Sequence, residues 1–110
     1  MRAESLKGHL DALVLATLGD EPLHGYAVIE ALRTRSEGAF DLAEGTVYPV
    51  LHRLENAGYL ASRWTTAESG RKRRVYSLTK RGERALSSQR ATWEQFSVAV
   101  GGLLGRRKPA

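Results

Sequence analysis

The chain contains no cysteine, which excludes disulfides and thiolate metal sites. No apolar run approaches the roughly 20 residues that span a bilayer, so no membrane partner is expected. The start, MRAESLKGHLDALVL, places Glu4, His9 and Asp11 where a secretory signal would carry an uninterrupted apolar core. These absences read as a cytoplasmic protein. Histidine is scarce, and His9, His24 and His52 stand far apart without metal-binding spacing. Ser5, Ser36, Ser62 and Ser69 lack the glycine pattern of a nucleophile elbow, and no glycine-rich phosphate loop follows a strand. Neither an enzyme nor a metal or other cofactor is expected.

What is present is positive charge. The 17 Lys and Arg outnumber the 12 Asp and Glu, for a net +5 over 110 residues. That balance favours a polyanionic partner, and the distribution is more telling than the total. Arg71-Lys72-Arg73-Arg74 are consecutive, Lys80-Arg81 follow, and Arg106-Arg107-Lys108 lie near the end.

Hydrophobic periodicity orders the chain. Leu6, Leu10, Leu13, Val14 and Leu18 recur at helical spacing, predicting an amphipathic helix over 3–18 that Gly19-Asp20-Glu21-Pro22 ends. A second helix is expected from about His24 to Arg35, with Ala27, Val28, Ala31 and Leu32 inward. The most informative stretch follows, EGTVYPVLHRLENAGYL at 44–60. Val47, Val50, Leu51 and Leu54 form one buried helical face, and Thr46, Tyr48, Pro49, His52 and Arg53 form the other. Pro49 has no backbone donor, which places the helix start near Ala43 or Glu44. Gly58 is suited to the left-handed position that ends a helix. Leu60–Thr66 and Val75–Leu78 read as strands around the turn residues Ala67-Glu68-Ser69-Gly70, and Thr79 is a good N-cap for a last helix reaching Leu104.

A helix with a polar face followed by a cationic hairpin suits a winged helix-turn-helix that reads duplex DNA. Arg53 can meet a guanine edge or a phosphate, Thr46 a thymine methyl, and the Tyr48 hydroxyl a phosphate oxygen, while Arg71, Lys72, Arg73 and Arg74 can grip the flanking backbone. An ordinary solvated helix face and a solubilising loop are the plain alternatives. In the last helix Leu86, Trp93 and Val100 lie seven apart, and Gln89, Phe96 and Leu103 form a second register three residues on. This is an a/d seam of about three heptads, long for so small a domain to cover, and pairing with a second copy is its expected use, with folding back on its own domain as the plain alternative. Trp93 and Phe96 on that seam can also wall a pocket for a flat apolar ligand.

Four blocks in order resemble the PadR family of bacterial transcriptional regulators: Leu23-His24-Gly25-Tyr26, Glu44-Gly45-Thr46-Val47-Tyr48-Pro49, Leu54-Glu55-Asn56-Ala57-Gly58-Tyr59-Leu60 and Gly70 through Thr79. The resemblance covers 23–79 and implies a homodimeric winged helix-turn-helix protein, usually a repressor released from its operator by a small effector. It implies that Tyr48 sits at the DNA backbone and that His24, Gly25 and Tyr26 bring a helix N-terminus toward a phosphate, a placement that free amides favour. It also implies a planar aromatic effector between the C-terminal helices at Trp93, with Phe96 nearby. Ala43 and Glu44 depart from the Ser/Asn-Pro pair that often precedes the family's Gly-Thr, which leaves Asp41 or Glu44 to serve the helix start.

The expected fold is mainly α with a two-stranded β-wing: a DNA-binding winged helix-turn-helix over 1–78, a dimerisation helix over 79–105 and a basic tail at 106–110. Expected partners are double-stranded DNA carrying an inverted repeat, a second copy of the chain, and a planar aromatic effector. Competing readings are a winged-helix module that binds an acidic protein, and a drug-binding sensor.

Overall fold

The computed structural model describes residues 8–105. The basic tail, Leu6 and the first part of the expected N-terminal helix lie outside those residues. Within them the order is α1 (Leu10–Leu18), β1 (Leu23–His24), α2 (Gly25–Arg35), α3 (Glu44–Asn56), β2 (Leu60–Thr66), β3 (Lys72–Leu78) and α4 (Lys80–Leu104).

Three helices and one face of a small sheet enclose the core. Val14, Leu15 and Leu18 of α1 meet Val28 and Leu32 of α2, and all four predicted positions of α3, Val47, Val50, Leu51 and Leu54, are buried among them. Leu42, in the connection before α3, is buried too. It lies outside any helix, so helical spacing offered no signal for it. Among the described residues Thr17 is the buried polar one, and its hydroxyl donates to the Val14 carbonyl at 2.7 Å. Burying that group is tolerable because its hydrogen bond is made within its own turn.

The expected two-stranded wing is part of a three-stranded antiparallel sheet in the order β1-β3-β2. Leu23 and His24 pair with Tyr76 and Val75. A two-residue strand is too short to show a period, and its partner lies some fifty positions later. β3 also starts at Lys72, earlier than the expected Val75, because the ladder continues to Thr66↔Lys72. Lys72, Arg73 and Arg74 are therefore strand residues. The turn proper spans 67–71, closed by Ala67 N–H to Arg71 carbonyl and Gly70 N–H to Ala67 carbonyl, each 2.8 Å. Gly70 sits at φ +85°, a region that strains a side-chain-bearing residue.

α4 joins the core through one compact junction. The Thr79 hydroxyl caps the helix by accepting from Gly82 N–H at 3.1 Å, and it donates to the Gly58 carbonyl at 2.7 Å. A Cβ at Gly82 would strike the Tyr59 carbonyl oxygen, so only glycine lets α4 approach the end of α3 this closely. The first turns of α4 thus pack against the winged unit. Leu86, expected in the dimer seam, is 4% exposed and packs in the chain's own core. The seam that remains open starts beyond it: Gln89, Trp93, Phe96 and Leu103 are exposed and Val100 is half-buried.

Candidate nucleic-acid interface

α3 begins at Glu44, within the expected range, but Pro49 is its sixth residue and lies inside the helix, where it lacks the N–H that would bond the Gly45 carbonyl. The N-cap of α3 is Ala43, which offers no side-chain hydrogen bond, and Asp41 does not cap it either. Glu44 in the first turn places a carboxylate against the positive end of the helix dipole instead.

Between α3, the start of α2 and the wing lies an open cleft of about 500 Å³. It gathers His24, Gly25 and Tyr26 from the β1–α2 junction, Tyr48 from α3, and Arg71, Lys72, Arg73 and Arg74 from the wing. These residues come from separate parts of the chain, and the fold draws eight of the eleven expected DNA contacts to one cleft. The remaining three, Thr46, Pro49 and Arg53, do not line it. Helical spacing explains the split: Tyr48 and His52 are four apart and share the cleft side, whereas Arg53 is turned toward α1. There its guanidinium makes a bidentate pair with Asp11, at 2.8 and 2.6 Å.

The contact between α2 and α3 is unusually close. A Cβ on Gly25 would stand 2.8 Å from Tyr48 Cε1, so the tyrosine ring lies over the glycine at the head of α2. Gly25 therefore has a packing role as well as the amide role implied by the resemblance. His24 is the N-cap of α2 and provides no side-chain cap, so among the described residues no capping side chain covers the first amides of α2. Burial raises the Tyr48 pKa, with Glu44 adding to the effect, and keeps the phenol a proton donor. Burial also lowers the His24 pKa, aided by Arg73 and opposed by Glu30, which favours the neutral imidazole.

Four cleft residues were not among the expected contacts: Glu44, His52, Trp64 and Tyr76. Trp64 is 65% exposed although it is large and apolar. The signal for it was present as a period of two. Ser62, Trp64 and Thr66 share one face of β2, and the register sets them opposite Tyr76, Arg74 and Lys72. Arg74 lies 5.8 Å from the Trp64 ring and 5.9 Å from that of Tyr76. The cleft thus combines cations, hydrogen-bond donors and flat rings. Such a set can hold phosphates while packing against sugars and base edges.

On α4, Trp93 and Phe96 are 62% and 59% exposed, with ring centroids 6.1 Å apart and planes inclined at 35°. Among the described residues no helix is long and apolar enough to cross a membrane, and no cluster of potential metal ligands occurs.

Comparison with known proteins agrees with this arrangement. The family model described as "Transcriptional regulator PadR-like family" matches residues 14–88. A transcriptional regulator of Mycobacterium tuberculosis is 36% identical over 87 residues, covering 79% of this chain and 78% of that protein. The structure of a PadR family transcriptional regulator from Eggerthella lenta is 35% identical with a TM-score of 0.77, over 96% of this chain and 89% of that one. A PadR-like transcriptional regulator from Bacillus cereus is 26% identical with a TM-score of 0.81, over 94% and 99%. These relatives are regulators rather than enzymes. With helix-turn-helix, wing and long C-terminal helix in the same order, the chain belongs to the PadR-like family of transcriptional regulators.

Proposed function

We propose that the chain is a homodimeric, sequence-specific DNA-binding repressor acting in the cytoplasm on an inverted-repeat operator. The observation that carries this reading is the cleft. Tyr48, the open amides at the head of α2 and the wing cations Arg71, Lys72 and Arg73 converge there on the volume a phosphate backbone would fill. In this reading Thr46 and Pro49 face the major groove beside the cleft, and Arg53 reaches a base or phosphate only by leaving Asp11.

Pairing is proposed through the distal part of α4. Gln89, Trp93, Phe96 and Leu103 are exposed at a/d spacing, and covering them with a second copy presents two reading heads to a two-fold site. A planar aromatic effector would seat between the two helices at Trp93 and Phe96, change the spacing of the heads and release the operator.

Anisotropy of the duplex upstream of the protein's own gene, against a scrambled duplex across a salt series, tests the reading. A gap of about a thousandfold or more, with both affinities falling as salt rises, is the expected result. Equal binding to both duplexes refutes sequence-specific regulation. Binding to neither favours the module that meets an acidic protein.

A further inference from the structure

Arg74 differs from the other wing cations. Its Nε donates to Ser62 Oγ at 2.8 Å, and its Nη2 lies 3.0 and 3.2 Å from the two carboxylate oxygens of Glu55. The Ser62 hydroxyl donates in turn to Glu55 Oε2. One guanidinium therefore joins α3, β2 and β3, while Trp64 and Tyr76 flank it. The Glu55 side chain is only 23% exposed, and the hydrogen bond from Ser62, followed by Arg74, lowers its pKa and keeps it ionised. Among the described residues Arg71, Lys72 and Arg73 make no ion pair, and nothing in the fold occupies their charge.

The wing is a hairpin whose far end has no core beneath it. Its backbone ladder fixes β2 against β3, but not the pair against α3. Among the described residues, the Glu55–Ser62–Arg74 network is the set of side-chain hydrogen bonds that ties the hairpin to α3. A phosphate drawing Arg74 away would leave the Glu55 carboxylate beside the polyanion, and like charges there repel. The geometry points to Glu55 and Arg74 as a tether that sets the angle between the wing and α3, which makes Arg74 a positioning residue and leaves Arg71, Lys72 and Arg73 as the phosphate contacts. This rests on the cleft being the DNA interface. The fork is essential to the tether, because it meets a hydroxyl and a carboxylate at once and an ammonium cannot reproduce that geometry.

The test uses the full chain, the native upstream duplex and its scrambled control over a salt series, with Glu55→Gln, Arg74→Gln, Arg74→Lys and Arg73→Gln. Circular dichroism establishes that each variant folds. Fluorotryptophan labelling gives a DNA-free readout at Trp64, assigned with Trp64→Phe. Arg73→Gln should weaken both duplexes and flatten the logarithmic salt slope by roughly 0.9 per subunit, as the loss of one phosphate contact requires. Arg74→Gln, Arg74→Lys and Glu55→Gln should each weaken the native duplex by about tenfold and leave the slope unchanged. Glu55→Gln should also shift the Trp64 resonance without DNA, since the guanidinium beside the ring is released. The tether is overturned if Glu55→Gln tightens both duplexes, or if Arg74→Gln flattens the slope while Arg74→Lys restores it. A wild-type chain that binds neither duplex removes the DNA reading alone. The Trp64 resonance then decides the tether, which fails if Glu55→Gln leaves it unmoved.

Discussion

The winged unit and the far half of α4 use apolar residues at the same helical spacing and spend them differently. From Val14 to Leu86 the periodic positions are buried or, like Ala27 and Ala31, half-buried within the same chain. From Ser87 to Leu104 no residue is buried, and Leu103 is 82% exposed. The contrast shows that an apolar stripe states only that something will cover it. Whether the cover is the chain itself or another molecule depends on what lies within reach. A lone amphipathic helix of this length is marginal in water, and the distal segment gains less support from its own chain than α1 to α3 do.

Breaking the core should have the largest effect on stability. Leu51→Ala removes a fully buried side chain at the centre of α3 and should cost about 2–5 kcal/mol, read as a lower urea midpoint at unchanged slope. The double change Trp93→Ser, Phe96→Ser should leave the winged unit folded and turn a dimer into a monomer by light scattering. Operator affinity should then fall by about a hundredfold or more as two linked reading heads become one. A monomeric wild-type chain, or a double variant that stays dimeric, would refute the contrast drawn between the two regions.

Smaller changes sharpen it. Thr79→Ala strips the cap where α4 joins the core and should cost about 1 kcal/mol in thermal or urea unfolding. Asp11→Asn breaks the pair with Arg53, but both side chains are well exposed (41% and 59%), so stability should change by less than about 1 kcal/mol. The informative readout of Asp11→Asn is DNA affinity, which should rise if Arg53 is freed for the duplex.

The effect at His24 is the smallest and depends on pH. Its pKa is lowered in the folded chain by burial and by Arg73, with Glu30 opposing, so the unfolded chain binds the proton more readily. Stability should therefore be constant above the usual histidine pKa, fall as pH drops through it, and level off below the folded value. A bound phosphate should reverse the preference, so operator binding should strengthen over the same interval. Both trends should vanish in His24→Gln, measured by urea titration and by anisotropy.

Much of this was legible in the residues. Val47, Val50, Leu51 and Leu54 mark the inner face of α3, and Thr79 marks the start of α4, because each rests on local spacing or local hydrogen bonding. Pro49 was a poorer marker, since it lies inside α3 rather than in its first turn. β1 and Leu42 were not legible, since a two-residue strand and a connecting loop have no period and their partners are distant in the chain. Leu86 carried the right hydrophobicity but packs in the chain's own core, because heptad spacing does not record where a helix leaves that core. The cleft was partly legible. The tyrosine and the cations were visible as types, whereas Trp64 needed the β2–β3 register to bring it opposite Arg74.

Charge is where the two sources of information divide most sharply. Composition and the run at 71–74 determined by themselves that the wing is cationic, and hydrophobic period determined that an amphipathic helix stands before it. Only the tertiary structure decided which arginines have their charge engaged within the fold. Arg53 finds Asp11 forty-two residues away, and Arg74 finds Glu55 nineteen away, whereas Arg71, Lys72 and Arg73 find no acidic partner among the described residues. A salt bridge between distant residues depends on distances of a few ångströms that the chain acquires only on folding, and no spacing rule along the sequence encodes it.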